Sequence, residues 1–150
     1  NSPERLGKWM RSEHQTLASL TQVLKEHLAR MPEVNSGEWL HGLRSGFERF
    51  HAHIKKNFAC QESDGYLDMI LEQRPTLSGK VELLRREHAE MLRMAERLHV
   101  DLSECAAENR LLLADNCARL QRFMAVVAQH NQRENMLTLL VFNEDIGVGD

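Results

Sequence analysis

The stretch Gln121-Arg122-Phe123-Met124-Ala125-Val126-Val127-Ala128-Gln129-His130-Asn131-Gln132-Arg133-Glu134 decides the fold. Leu120, Phe123 and Val127, continued by Leu137 and Val141, recur at helical spacing and mark one apolar stripe on a long helix. His130 and Glu134 fall on that same stripe, four residues apart. A face that is otherwise Leu, Phe and Val buries a carboxylate only when a cation or a partner compensates it. The helix therefore directs two metal-competent side chains inward.

The stretch has a twin. A shift of 73 residues aligns Glu48-Arg49-Phe50-His51-Ala52-His53-Ile54 with residues 121–127 and places Asn57 opposite His130 and Gln61 opposite Glu134. The HxxxE of one copy is NxxxQ in the other. At nearly the same shift, Arg11-Ser12-Glu13-His14 matches Arg85-Arg86-Glu87-His88. The pattern is that of a duplicated helix pair, an internal pseudo-repeat whose matched residues sit on core stripes.

With 150 residues the chain suits a single domain over 1–150 with a sizeable core. A net charge of −3 and no Lys/Arg cluster beyond Lys55-Lys56 argue against a nucleic-acid surface. No apolar run reaches the roughly 20 residues of a membrane helix and no leader opens the chain, so no membrane role is expected and the expected compartment is the cytoplasm. Cys60, Cys105 and Cys117 form no CxxC and are odd in number, which points to reduced thiols and excludes zinc-finger chemistry. Low aromatic content with few β-branched runs favours an all-α chain.

Four amphipathic helices follow from the periodicity. Ser2-Pro3 caps and starts helix A, which runs to about Arg30 before Met31-Pro32. Helix B opens at Asn35 to Glu38 and carries Leu43, Phe47, Phe50, Ile54, Asn57 and Gln61 on its stripe, until Ser63-Asp64-Gly65 breaks or bends it. Tyr66 to Leu71 extends it before Pro75. Helix C starts near Thr76 to Ser78 and bears Val81, Leu84, His88, Met91, Ala95 and Leu98; His99 to Cys105 is expected as a turn, with Asp101 or Ser103 as caps. Helix D spans roughly Ala106 to Phe142, and Asp145 to Gly149 is expected as a turn-rich tail.

Short connections make an up-down-up-down four-helix bundle the simplest arrangement. His14 and His88 lie early in helices A and C, whereas Asn57/Gln61 and His130/Glu134 lie late in B and D. In such a bundle all six meet in one core layer. His27, His41, His51, His53 and His99 are left as structural or surface histidines, and Cys60 is expected as a small buried residue.

This layer resembles the hemerythrin-like, or HHE cation-binding, family. The likeness rests on Glu13-His14 in helix A, a PxLxxxVxxLxxEH-type run through Pro75, Leu77, Val81, Leu84, Glu87 and His88, the HxxxE of His130 and Glu134, and the DIGxGD ending Asp145 to Asp150. The resemblance implies a non-haem iron centre ligated by His14, His88, His130 and Glu134, serving oxygen binding or sensing of oxygen, iron or redox state. Helix B departs from the pattern: where the family has HFxxEE, this chain has Asn57-Phe58-Ala59-Cys60-Gln61-Glu62.

Two neutral amides in place of ligands weaken a di-iron site, because a buried ion pair needs carboxylates to offset its charge. Two substitutes stand nearby: Glu62, about 500° around the helix from Asn57 and so ~140° off its face, and His53 one turn earlier. Three imidazoles and one carboxylate suffice for a single divalent ion, iron(II) or zinc, with a position open to O2 or another small ligand. The alternative is a metal-free bundle, with Asn57, Gln61, His130 and Glu134 hydrogen-bonded to one another, acting as an interaction or regulatory module. No Ser/His/Asp pattern, phosphate loop or acidic pair points to an enzyme.

Overall fold

The protein's computed structural model describes residues 2–63 and 65–148, with side chains up to Phe142. Among these residues there is helix and no strand. Ser2 Oγ accepts the Arg5 N–H at 3.2 Å and Pro3 takes the first helical position, which satisfies one orphan donor and spares another. Helix α1 follows over Pro3–Ala29 and α2 over Gly37–Ser63. Gly65, at φ 88°, holds the left-handed conformation that starts α3, Tyr66–Gln73. A 3₁₀ turn, Pro75–Leu77, leads into α4, Ser78–Glu104, and α5 spans Arg110–Val148. Asp64, part of the expected break, lies outside the described residues.

The later half departs from expectation at three points. Residues 99–104 are not a turn but the last turns of α4, because Leu102, four residues beyond Leu98, keeps the buried stripe going. Neither proposed cap acts as one. Asp101 forms an ion pair with Arg119 at 2.7 Å, and Ser103 Oγ–H donates back to the His99 carbonyl at 2.7 Å. Helix α5 instead begins after Asn109, whose Oδ1 accepts the Leu112 N–H at 3.2 Å. At the far end, α5 continues to Val148 where a tail was expected, since one internal glycine costs a helix only about 1 kcal/mol. The side chains of the DIGxGD ending lie outside the described residues.

Packing follows from the apolar stripes. Helix α1 packs on α2, α2 on α4, α4 on α5 and α5 on α1, while α3 lies against α2, α4 and α5. Specific clasps fix the corners. His27 stacks on Trp39 with ring centroids 5.1 Å apart; its Nε2–H donates to the Trp39 carbonyl at 2.7 Å, and Trp39 Nε1–H returns a bond to the His27 carbonyl at 2.8 Å. Arg44 donates to the carbonyls of Leu102 and Cys105 at 2.7 and 2.6 Å, satisfying the exposed end of α4. Among the described residues no helix is long and apolar enough to cross a membrane.

The core consists of two separate apolar clusters. One gathers Leu17, Leu24, Phe50, Phe58, Met91, Leu120, Phe123 and Val127. The other gathers Met10, Tyr66, Leu67, Leu84, Leu137 and Val141. Each fully buried Leu or Phe stabilises by about 1.5–3 kcal/mol. Between the clusters, on every long helix, the stripe turns polar: His14 between Met10 and Leu17, Asn57 and Gln61 on α2, His88 between Leu84 and Met91, and His130 and Glu134 between Val127 and Leu137.

The corner clasp makes a prediction. A Cβ on Gly42 would lie 2.8 Å from His27 Cε1, and that ring is held by its stack and hydrogen bond. Gly42→Ala should gain about 1 kcal/mol of helix propensity but lose about 1–3 kcal/mol to overpacking. The expected net result is a lower thermal midpoint with altered Trp39 fluorescence; a higher midpoint would contradict the clasp.

Candidate metal centre

Glu134 is the centre of the polar layer. Its side chain has no solvent exposure, and imidazoles approach both carboxylate oxygens. His14 Nε2 is 3.0 Å from Oε1. On the other oxygen, Oε2, His88 Nε2 lies at 3.5 Å and His130 Nε2 at 3.3 Å. Three helices contribute: α1 gives His14, α4 gives His88, and α5 gives both His130 and Glu134 one turn apart.

The second nitrogen of each ring points to an outer oxygen. His130 Nδ1–H donates to Glu87 Oε1 at 2.8 Å, and Glu87 is itself gripped by the Arg133 guanidinium. His14 Nδ1–H donates to Asn135 Oδ1 at 2.7 Å. His88 Nδ1 faces Glu62 Oε1 at the longer distance of 3.8 Å. For His130 the acceptor behind the ring places the proton on Nδ1 and leaves the Nε2 lone pair aimed at Glu134, whereas His14 has an oxygen at hydrogen-bond distance from both nitrogens and His88 Nδ1 makes no hydrogen bond. Lone pairs facing a carboxylate repel it unless protons or a cation stand between them.

That condition tests a metal against the residues present. Among the described residues the buried polar atoms lacking any hydrogen-bond partner are His88 Nδ1 and Nε2, His130 Nε2, Glu134 Oε2, Asn57 Nδ2 and Gln61 Oε1. Three of them, His88 Nε2, His130 Nε2 and Glu134 Oε2, belong to the one buried trio of ligand atoms that lie within 4.8 Å of one another. Two donors each about 2.1 Å from a tetrahedral ion are roughly 3.4 Å apart. The separations of 3.5 and 3.3 Å match that spacing and exceed a charge-assisted hydrogen bond of about 2.7–2.9 Å. The donor set fits a divalent ion.

Electrostatics point the same way. Burial alone would raise the Glu134 carboxyl, but the imidazoles of His130, His14 and His88 beside it outweigh this and hold the group well below the usual carboxylate range. For His130, burial lowers the pKa, and the adjacent carboxylates of Glu134 and then Glu87 more than reverse this. Glu87 is held below its ordinary value, burial being overcome by His130 and Arg133. The layer thus keeps its carboxylates anionic and attracts positive charge.

The α2 positions stand apart. Asn57 and Gln61 are buried, and Gln61 Nε2–H donates to Asn57 Oδ1 at 2.7 Å, with Met10 Sδ 4.0 Å away. Glu62 is 45% exposed and lies behind His88, on the Nδ1 side; α2 stays helical through Ser63, so no bend swings it inward. His53 Nε2 is 3.2 Å from the Glu13 carbonyl and 3.8 Å from its carboxylate, a flanking position. The other histidines are structural or peripheral: His27 in the corner clasp, His51 buried against Phe47 and His99, His41 exposed. Cys105 and Cys117 are buried free thiols, and Cys60 is only half-buried where a buried residue was expected.

Sequence spacing left four contributors without a role. Glu87 was visible in the repeated Glu-His pair, yet its partner His130 is 43 residues away and only packing of α4 on α5 brings them together. Asn135 adjoins Glu134 but faces α1. Tyr66 O–H and Thr138 Oγ1 bond to each other at 2.5 Å, and Thr138 Oγ1–H donates to the Glu134 carbonyl at 2.9 Å, anchoring that turn of α5.

No family model matches the chain, and no curated protein and no solved structure shows significant similarity to it.

If Glu87 fixes the tautomer of His130, Glu87→Ala should weaken divalent-metal binding about 10–100-fold while the helical spectrum is unchanged. Unaltered affinity in a metal titration would remove Glu87 from the centre.

Proposed function

We propose that this chain is a hemerythrin-like domain, an up-down-up-down four-helix bundle built on an internal helix-pair repeat, that holds one non-haem divalent metal ion for binding or sensing a small ligand. The observation that carries the reading is the set of imidazole Nε2 atoms converging on one fully buried carboxylate. Corner contacts support the topology: His27 at the end of α1 meets Trp39 at the start of α2, Arg44 early in α2 meets the end of α4, and Asp101 late in α4 meets Arg119 early in α5. The repeat is supported by the buried, matched positions Asn57/Gln61 and His130/Glu134. It is imperfect, since Glu13, the counterpart of Glu87, faces His53.

In this reading His88 and His130 bind through Nε2, Glu134 supplies the charge through Oε2, and His14 acts from the Oε1 side. Iron(II) suits this mixed nitrogen and oxygen set, and zinc is the other chemically reasonable ion. A ferrous ion supplies a redox-active centre with coordination positions left for a small ligand such as O2. Phe58 stacks on His88 at 4.1 Å and meets His130 edge-on at 5.5 Å, so it excludes water from that side and holds both rings. Glu134 is the one buried carboxylate among the described residues, which limits the site to a single ion.

The Asn57–Gln61 bond favours a second reading, because two neutral amides that bond to each other offer a metal no charge. On that reading the bundle is metal-free and acts as an interaction or regulatory module. Elemental analysis of protein purified without chelators separates the two. The metal reading expects close to one transition-metal ion per chain, lost in His130→Ala; the metal-free reading expects none. Two tightly held irons would contradict both.

The double substitution Asn57→His, Gln61→Glu should raise iron uptake toward two ions per chain, since it restores the second HxxxE. Any overpacking should cost about 1–3 kcal/mol. Without metal the variant should melt below the parent, because two neighbouring buried carboxyls resist ionisation together. Iron uptake no greater than the parent's would show that α2 does not face the layer.

A further inference from the structure

Outside the polar layer, the outer groove between α4 and α5 carries an unusual concentration of charge. Arg93 and Arg97 rise from α4, one turn apart, and Arg119 and Arg122 rise from α5 across the groove. The chain as a whole is acidic, with a formal charge of −3. Four guanidiniums around one depression in such a chain repel one another, and a solvated helix face gains nothing from gathering them.

Part of that charge is neutralised within the protein. Glu90 pairs with Arg93, and Asp101 Oδ2 lies 2.7 Å from Arg119. Arg97 and Arg122 have no hydrogen-bond or ion-pair partner among the described residues. One comes from each wall of the groove. Guanidinium forks match phosphate oxygens in bidentate geometry.

The floor is apolar. Phe123 is fully buried and Leu98 3% exposed, and Met94 stands at the rim with 37% of its surface in solvent. The groove encloses about 380 Å³, inside the range of roughly 300–1,000 Å³ typical of small-molecule sites. An apolar floor between two free guanidiniums suits a ligand with an organic body and an anionic end, and a bare inorganic ion would leave the floor unused.

We propose that the α4/α5 groove is a binding site for a phosphorylated organic anion of about nucleotide size, with its phosphate held between Arg97 and Arg122 and its body lying against Met94, above the buried Leu98 and Phe123. The site is independent of the metal reading, since neither arginine contacts His88, His130 or Glu134.

Calorimetric titration of the full chain tests this, with ATP and glucose 6-phosphate as probes and adenosine and pyrophosphate as controls. At least one phosphorylated probe should bind, and Arg97→Ala and Arg122→Ala should each weaken it about tenfold or more, as expected for loss of a hydrogen bond to a charged group. Both residues are exposed, so the variants should keep the parent's helical spectrum and thermal midpoint. Arg97→Lys should recover only part of the loss, because it restores charge without the fork. Adenosine should not bind. Failure of both phosphorylated probes to bind below about 1 mM, or affinity indifferent to the arginine variants, would overturn the site. Pyrophosphate binding as tightly as the organic phosphates would overturn the role of the apolar floor.

Discussion

A carboxylate with no exposure to water, Glu134, is the constraint on which the rest of the structure depends. An isolated buried charge of this kind costs several kcal/mol even after relaxation. The fold answers by bringing three imidazoles from three helices to its two oxygens. Because the compensating groups belong to α1, α4 and α5, the relative position of those helices is fixed at this level. Removing any one ring leaves the carboxylate less compensated and the layer weaker.

The apolar clusters on either side make the constraint tighter. They exclude water from above and below, so the interactions of Glu134 operate at low effective dielectric. Outer oxygens on Glu87, Asn135 and Glu62 then determine how the rings can respond. With its proton held on Nδ1, His130 Nε2 can either take a second proton and become cationic or give its lone pair to a metal ion. Both routes supply positive charge; only the second also satisfies the orphaned atoms His88 Nε2 and Glu134 Oε2, which sit too far apart for a strong hydrogen bond.

Much of this was legible in the sequence, for particular reasons. His130 and Glu134 stand one turn apart on a stripe of Leu, Phe and Val, and a buried charge on such a face announces itself. His14 and His88 interrupt stripes in the same way. What spacing could not show was which nitrogen of each ring faced inward, or that Glu62 would serve behind His88 rather than as a ligand, since both depend on helix rotation in the packed core. Boundaries failed where capping residues were put to other uses: Asp101 is engaged by Arg119 and Ser103 by its own helix, so α4 outran its expected end. The Asn57–Gln61 bond was foreseen as part of a larger network with His130 and Glu134, whereas the two amides bond to each other.

The central claim is that imidazole Nε2 lone pairs face Glu134 and are available to a cation. Nitrogen-15 NMR of the histidine rings, recorded before and after addition of zinc to metal-stripped protein, tests it most directly. The account predicts that His130 keeps Nδ1–H throughout and that zinc moves the Nε2 resonances of His88 and His130 to the metal-bound range. Neutral rings carrying the proton on Nε2, with no change on adding zinc, would contradict it.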